Sequence, residues 1–488
     1  MGAAWAAVGL GVLAVAAFAP FGLWPLAPLS LAGLFLLWRE ARARRAAWIG
    51  FLYGLGFMGA GVSWVLVSIA QFGGVGPVLA AIATLGFVAL LALFPALSGA
   101  LAAVVPPRLR MPLGAPAAWT LGEALRGGVL TGFPWLSLGY SQSDGPLAGL
   151  APVLGVAGIG WLLAVVGGLL AHAWARRRVW PLVPAGALLA AGLPLQRLEW
   201  TRPAGPPLEV ALVQPSIPQV LKWKPEQLAP TLAKYRERTL ANLDADLVIW
   251  PETAVPRFRY RVQRRFLGPL AARARARGSA LVIGIPILDP EHLRYYNAAL
   301  VPTPEGPGEV YAKRHLVPFG EYLPLEPWLG GLFAFLHVPM GEFAAGDSRE
   351  PPLLHAAGRV LGVSICYEDA FSREVLQALP RAEVLVNLSN DAWFGDSLAP
   401  PQHLQIARLR ALETGRPLLR ATNSGISALI GHHGRILASA GLFEDRVVRG
   451  RVQPRQGLTP YAVTGPWPAW GLALGLWAGA AWRRKGRG

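Results

Sequence analysis

Cys366, Glu252 and Lys313 are the residues whose types and settings best suit chemistry. Cys366 follows the run RVLGVSI and precedes Tyr367, Glu368 and Asp369, the place for a nucleophile exposed at a strand end. Taken alone it is weak evidence, because a small buried hydrophobe is the commoner fate of a free cysteine. A free thiol with pKa ~8.5 is mostly unreactive at neutral pH, so a neighbouring base or cation would have to activate it. Glu252 ends the run LVIWPE, where low dielectric would tune a carboxylate toward a general base. The same position also suits a helix N-cap or first-turn acid before TAVP. Lys313 is one of five lysines in a chain with forty arginines. Its place in AKRHLVPFGEYLP, directly before an arginine, suggests a need for a compact ammonium where a guanidinium fork will not serve. A surface position is the plainer alternative. The single cysteine excludes an internal disulfide and a cysteine-based zinc cluster. His432 and His433, in GHHG, read as residues of a hairpin turn, since no third ligand lies at suitable spacing.

These residues sit in a central region, 197–463, where short β-rich runs alternate with helical patterns. The runs are LEVALVQ (208–214), ADLVIWPE (245–252), SALVIGIPI (279–287), RVLGVSICYE (359–368), AEVLVNLS (382–389), LLRATNSG (418–425) and SALIGHHGRILAS (427–439). Helices are expected at 226–243, 260–277, 372–379 and 402–415. Strand then helix, repeated, with strands apolar on both faces, predicts an α/β domain with buried sheets.

The flanks are of another kind. The 488 residues are 53% hydrophobic and 15% charged, with mean hydropathy +0.40, which excludes a disordered or collagenous chain. Only Glu40, Glu123 and Asp144 are acidic before residue 197, and no acid follows 463. Apolar stretches long enough for ~30 Å of hydrocarbon run at about 3–19, 21–38, 46–70, 75–105, 148–174 and 466–482. Two weaker stretches are 112–130, with Glu123 and Arg126 at i, i+3 spacing, and the proline-interrupted 179–195. The first would cross as a buried pair or dip in and return. Counting both gives about eight spans, seven before the central domain and one after it. The expected division is a helical bundle over 1–196, a polar domain over 197–463, and a last span with a basic tail over 464–488.

With the N-terminus inside, the cytoplasmic connections REARARR (39–45), PPRLRM (106–111), ARRR (175–178) and the tail RRKGRG are all basic. The opposite connections near 20, at 71–74 and at 131–147 hold no lysine or arginine. That asymmetry places the central domain outside the cytoplasm and both termini inside. The basic pI near 10.8 therefore reports membrane topology rather than nucleic acid, because most of the excess charge lies in short loops between apolar stretches.

The combination of IWPE (249–252), YAKRHLVPFGEYLP (311–324), SICYE (364–368) and NLSNDAWFG (387–395) resembles the nitrilase, or carbon-nitrogen hydrolase, superfamily. VQPSIPQVLKW (213–223), HLVPFGEYLPLE (315–326), NDAWFGDS (390–397), the 402–427 segment and WTLGEALRGGVLTGFPWLSLGYSQSD (119–144) narrow the match. Within the membrane frame they resemble the apolipoprotein N-acyltransferase family over nearly the whole chain. The resemblance implies a four-layer α-β-β-α sandwich for the central domain, on the extracytoplasmic side of the bacterial cytoplasmic membrane, carried by the α-helical transmembrane bundle. It implies acyl transfer from a phospholipid, commonly phosphatidylethanolamine, to the α-amino group of a diacylglyceryl-modified N-terminal cysteine, by a ping-pong reaction through a thioester. In that reading Cys366 is the nucleophile, Glu252 the general base and Lys313 the cation at the oxyanion, joined by the backbone N–H of Tyr367. Glu321 supports the site, and Trp223, Tyr367 and Glu368 match family positions needed for activity. No metal or organic cofactor is called for.

Both substrates would be lipids, so an apolar entrance is expected. The run PWLGGLFAFLHVPM (327–340), with Phe333, Phe335 and Leu336, and the loop TGFPWLSLGY (131–140), with Trp135 and Tyr140, are the candidates. The first run also reads as an ordinary core helix. One rival function keeps the three catalytic residues but gives the acyl group to water, as a membrane-anchored amidase would. A single anchor would suffice to tether such an enzyme. A transporter with an outer binding domain is the other, and the scarcity of ionisable residues in the spans beyond Glu123 and Arg126 speaks against it.

Overall fold

The computed structural model describes residues 2–322 and 343–485. The chain divides into two compact units: Met1–Ala70, Gly76–Glu199 and Thr459–Gly488 form one, and Gln71–Val75 with Trp200–Leu458 the other.

In the first unit every apolar stretch read from the sequence holds a helix, but several helices are shorter than their stretch. Gly2–Val15 and Leu26–Trp38 cover only parts of 3–19 and 21–38, because Pro20 and Pro25 lack an N–H and Gly22 turns the chain at positive φ. The 46–70 stretch is two helices, Ala43–Gly61 and Val65–Phe72, bent by 59°. Among the described residues, Pro77–Val104 and Ala148–Arg176 are the two helices long and apolar enough to cross a membrane, or three spans if the bent pair counts as one. The 112–130 stretch is an α-helix only over Ala115–Arg126. Leu182–Ala190 has nine residues, about 14 Å of helix, less than the hydrocarbon thickness. Trp467–Lys485 carries the last stretch.

Small residues let these helices approach closely. A Cβ on Gly54 would lie 2.7 Å from Ala92 Cα, and one on Gly50 would collide with the Pro95 carbonyl, so Ala43–Gly61 packs backbone to backbone against Pro77–Val104. The buried guanidinium of Arg110 donates to the carbonyls of Trp38 (2.9 Å), Ala41 (2.9 Å), Ala103 (3.0 Å) and Val105 (3.2 Å). One cation thereby satisfies the ends of two helices. Glu123 and Arg126 do pair, at 3.7 Å. Glu123 also accepts the Leu138 N–H (3.0 Å) and Arg126 donates to the Phe133 carbonyl (2.9 Å), so the pair anchors the loop that follows its own helix.

Among its described residues the second unit holds twelve principal strands: β1 Leu208–Gln214, β2 Leu247–Ile249, β3 Ala280–Asp289, β4 Arg294–Val301, β5 Glu309–Ala312, β6 Leu353–Ala356, β7 Arg359–Ile365, β8 Val384–Ser389, β9 Leu418–Thr422, β10 Ala428–Ile430, β11 Ile436–Ser439 and β12 Arg446–Val452. They form two six-stranded sheets, in the orders β12-β1-β2-β3-β4-β5 and β11-β10-β9-β8-β7-β6. The centres, β1-β2-β3 and β7-β8-β9, are parallel, and the remaining pairs are antiparallel. The sheets pack on each other. Their alternate residues pack outward on helices: Val213, Val248 and Ile283 against Tyr235, Leu270 and Ala274, and Leu385, Leu418 and Ile430 against Leu404, Ala407 and Ala411. This period-two division of apolar strands between a sheet and a helix layer makes a four-layer α-β-β-α sandwich with mixed sheets. The expected strands and helices are present. Strands β4, β5, β6 and β12 were not expected, because they are edge or near-edge strands whose partly exposed residues break the apolar pattern.

Candidate active site

Glu252, Lys313 and Cys366 come from the ends of three different strands. Glu252 lies just beyond β2, and the chain there runs so close to β3 that a Cβ on Gly284 would collide with the Pro251 carbonyl and sit 2.7 Å from Glu252 Cα. Lys313 directly follows β5. Its N–H donates to the Asn297 carbonyl (2.7 Å) and its own carbonyl accepts from Gly346 (2.8 Å), so its backbone is held on both sides. Cys366 follows β7 at φ +52°. That left-handed turn is costly for a non-glycine residue and swings the side chain off the strand line into the start of the short 3-10 turn Cys366–Ala370.

All three are buried. Lys313 Nζ contacts Glu321 Oε2 at 2.8 Å and Glu252 Oε1 at 3.5 Å. Asn297 Nδ2 donates to Glu252 Oε1 at 2.6 Å and to Glu321 Oε1 at 3.3 Å, and the Val317 N–H donates to Glu321 Oε2 at 2.8 Å. Burial works against the ammonium of Lys313, but Glu321, Glu252 and Cys366 together raise its pKa above the ordinary lysine value, so it stays charged. Burial, and then the Glu252 carboxylate, push the Cys366 thiol well up, against the pull of Lys313. The resting sulfur is therefore a neutral thiol, and a base must take its proton as it attacks. The cluster brings together a thiol, an adjacent carboxylate and a fixed cation, groups of the kind that acyl transfer through a thioester requires.

The expected supporting residues fall in different places. Glu321 lies in the cluster itself. Glu368 is engaged by other donors: its carboxylate accepts from the Tyr311 hydroxyl (2.9 Å) and from the backbone N–H groups of Arg314 (2.6 Å), His315 (3.1 Å) and Ile365 (2.7 Å), within electrostatic reach of Lys313. It thus ties the turn bearing Cys366 to the segment bearing Lys313. Tyr367 is buried with its ring edge-on to Phe371 at 5.0 Å and to His315 at 5.8 Å. Trp223 is 41% exposed and connects to the cluster through its neighbour. Lys222 Nζ donates to the Glu252 carbonyl (3.2 Å) and to Thr253 Oγ1 (2.7 Å).

Phe333, Phe335 and Leu336 lie outside the described residues. Trp135 and Tyr140 require a correction: they are 1% and 2% exposed, and Trp135 packs on Trp64 with ring centroids 5.2 Å apart. Their aromatic area fills the interior of the helical unit instead of facing lipid. Sequence reasoning missed Asn297, Tyr311 and Lys222. For Lys222 the signal was available, since the scarcity of lysine that marks Lys313 marks it equally.

The sandwich and its Glu–Lys–Cys cluster define a carbon-nitrogen-hydrolase-type domain, and residues 209–460 match the carbon-nitrogen hydrolase family model. Residues 10–169 match the apolipoprotein N-acyltransferase N-terminal domain. The chain is 49% identical to apolipoprotein N-acyltransferase of Methylococcus capsulatus, over 98% of this chain and 95% of that one. It is 44% identical to the protein of that name from Nitrosomonas europaea, over 93% and 92%, and 44% identical to that from Pseudomonas putida, over 96% and 94%. The chain belongs to the apolipoprotein N-acyltransferase family, a family of acyltransferases.

Proposed function

We propose that this protein completes lipoprotein maturation by moving an acyl chain from a membrane phospholipid, phosphatidylethanolamine in the first instance, to the α-amino group of an N-terminal diacylglyceryl-cysteine. The observation that carries the reading is the buried cluster in which Lys313 bridges Glu252 and Glu321, with the Cys366 thiol within its electrostatic reach. Cys366 Sγ attacks the ester carbonyl while Glu252 takes the thiol proton. Lys313 and the Tyr367 N–H meet the tetrahedral oxyanion. The proton then passes to the departing lysophospholipid oxygen, leaving a thioester. The acceptor amine attacks the thioester carbonyl, Glu252 takes its proton, and the proton returns to the released sulfur.

Two lipid substrates account for the extent of apolar helix in the first unit. The eight apolar segments together form the membrane part, with Leu26–Trp38 and Leu182–Ala190 as short helices within it. The basic connections face the cytoplasm, as do both termini. Residues 1–196 and 464–488 are the membrane segments of the chain, and residues 197–463 are the domain that acts on the outer face of the cytoplasmic membrane. The apolar sequence 327–340 remains the candidate acyl-chain entrance on its composition alone, and replacing Phe333, Phe335 and Leu336 by Ser should raise the phospholipid KM. Trp223, exposed beside Lys222, is assigned to substrate contact.

Intact mass spectrometry after incubation with phospholipid alone tests the reading. The wild type should gain one acyl mass that Cys366→Ala lacks, and a diacylglyceryl-cysteine peptide should remove that mass and acquire it. An adduct cleared equally fast by water would instead favour a hydrolase.

A further inference from the structure

Beneath Cys366 lies a second polar cluster, wholly buried, that the acyl-transfer steps do not use. His403, in the helix Ala399–Thr414, has Nδ1 2.9 Å from Asp391 Oδ1 and Nε2 3.0 Å from Asp369 Oδ1. Nε2 is also 3.3 Å from the Cys366 carbonyl oxygen. Each of these partners is an acceptor, so a neutral ring would turn a lone pair on one carboxylate, whereas an imidazolium donates from both nitrogens. Arg420 binds the same two carboxylates, at 3.3 Å to Asp369 and 2.9 Å to Asp391. It also donates to Asn387 Oδ1 at 2.6 Å, and Asn387 Nδ2 donates to the Cys366 carbonyl at 3.2 Å.

Two carboxylates and two cations leave the cluster neutral and its hydrogen bonds directed, the condition under which buried charges are tolerated. It meets Cys366 twice: at the backbone carbonyl, through His403 and Asn387, and at the thiol, where Ser389, held by Asp391 at 2.9 Å, hydrogen-bonds the sulfur. The Cys366 carbonyl and the Tyr367 N–H belong to one planar trans peptide, in which they point in opposite directions. Two donors on the oxygen fix that plane and polarise its N–H.

We propose that His403, braced by Asp369, Asp391 and Arg420, is a positioning residue that anchors the Cys366–Tyr367 peptide and so aims the Tyr367 N–H at the oxyanion. The inference deepens the acyl-transfer reading and rests on it for the identity of the oxyanion, but its test does not need phospholipid. An oxyanion forms when Cys366 attacks the carbonyl of a p-nitrophenyl ester, displacing p-nitrophenolate, and none forms when the same sulfur displaces iodide from iodoacetamide.

In the purified full-length protein, His403→Gln should slow acylation by p-nitrophenyl butyrate roughly 10- to 100-fold, somewhat less than the loss of a whole oxyanion donor. The loss should fall on the rate constant, with half-saturation and iodoacetamide alkylation within about threefold of wild type. The charge-balanced variant carrying both Asp369→Asn and His403→Gln should show the same pattern, and it serves if the single variant does not fold. Unchanged acylation in either variant, or equal slowing of acylation and alkylation, would overturn the proposal. Wild-type protein that accepts the p-nitrophenyl ester but no acyl group from phospholipid would sink the donor assignment and leave this comparison standing.

Discussion

Two polar clusters flank the same cysteine, and they are built on opposite principles. The Glu252–Lys313–Glu321 cluster sets two carboxylates around one ammonium, with Asn297 as the shared neutral donor. The Asp369–Asp391–His403–Arg420 cluster sets two carboxylates between two cations. The second is closed: its charges cancel and its hydrogen bonds engage both nitrogens of the histidine. The first is open, with an excess of carboxylate that can accept a proton during reaction. A site that must change protonation is left unbalanced, whereas the scaffold that holds it is balanced.

Substitutions in the open cluster should have the largest effects. Cys366→Ala should abolish the acyl adduct, and Glu252→Gln should reduce it by several orders of magnitude, since the thiol is held protonated and loses its base. Lys313→Arg keeps the charge but cannot fit a planar fork between Glu252 and Glu321. A loss of about 10²–10³ in acylation rate is expected from the misplaced oxyanion donor. Acylation of Lys313→Arg at the wild-type rate, read by intact mass spectrometry, would show that the cation is not a geometric requirement.

Much of the open cluster was legible in the sequence. Glu252 and Cys366 end apolar runs that become β2 and β7, and strand ends are where a buried run must meet polar surroundings. Lys313 stood out because lysine is scarce in this chain. The residues that hold them were not legible, because their bonds join distant positions: Asn297 reaches Glu252 across 45 residues, Tyr311 reaches Glu368 across 57, and His403 reaches Cys366 across 37. His403 lies within a motif read from the sequence, yet nothing in a helix of mixed composition says which side chain points inward. Strand β5, which delivers Lys313, has four residues, two of them exposed, too short and too polar for a periodic signal. In the helical unit the apolar segments were legible from hydropathy, but hydropathy does not mark where Pro20, Pro25 and Gly22 stop a helix.

Titration separates the two clusters more gently. Burial and Arg420 oppose the charge on His403, but Asp369 and Asp391 prevail and carry its pKa up to about 9. Burial takes Lys222, beside Glu252, down to about 8 against the pull of that carboxylate. Between about pH 6.5 and 9 the folded protein binds the His403 proton and the unfolded chain does not, so this term of stability falls as pH rises. Between about pH 8 and 10.5 the unfolded chain binds the Lys222 proton and the folded protein does not, so that term rises. Each is on the order of 3 kcal/mol by the usual linkage relation. Melting curves in detergent across pH 6–10 should show His403→Gln losing the fall and Lys222→Met losing the rise. A wild-type profile whose slope survives His403→Gln would mean that the imidazolium is not what Asp369 and Asp391 hold.

The smallest effect is expected where Glu368 joins the halves of the site. Its carboxylate takes one hydroxyl, from Tyr311, and three backbone N–H groups, from Arg314, His315 and Ile365. The backbone donors are fixed by the chain, so Tyr311→Phe removes one of four bonds and leaves the carboxylate satisfied. The cost should be about 1.5–3 kcal/mol for a hydrogen bond to a charged group, seen as a lower melting temperature, with acylation within about threefold of wild type. Glu368→Gln keeps one oxygen acceptor but turns the other toward its donor as an NH2 group, so that an amide that still serves the Arg314 and His315 N–H groups faces the Ile365 N–H donor to donor; with the charge also lost, it should cost more in both measurements. If Tyr311→Phe instead slowed acylation as much as Glu368→Gln, the hydroxyl rather than the backbone donors would be what keeps Cys366 in register with Lys313.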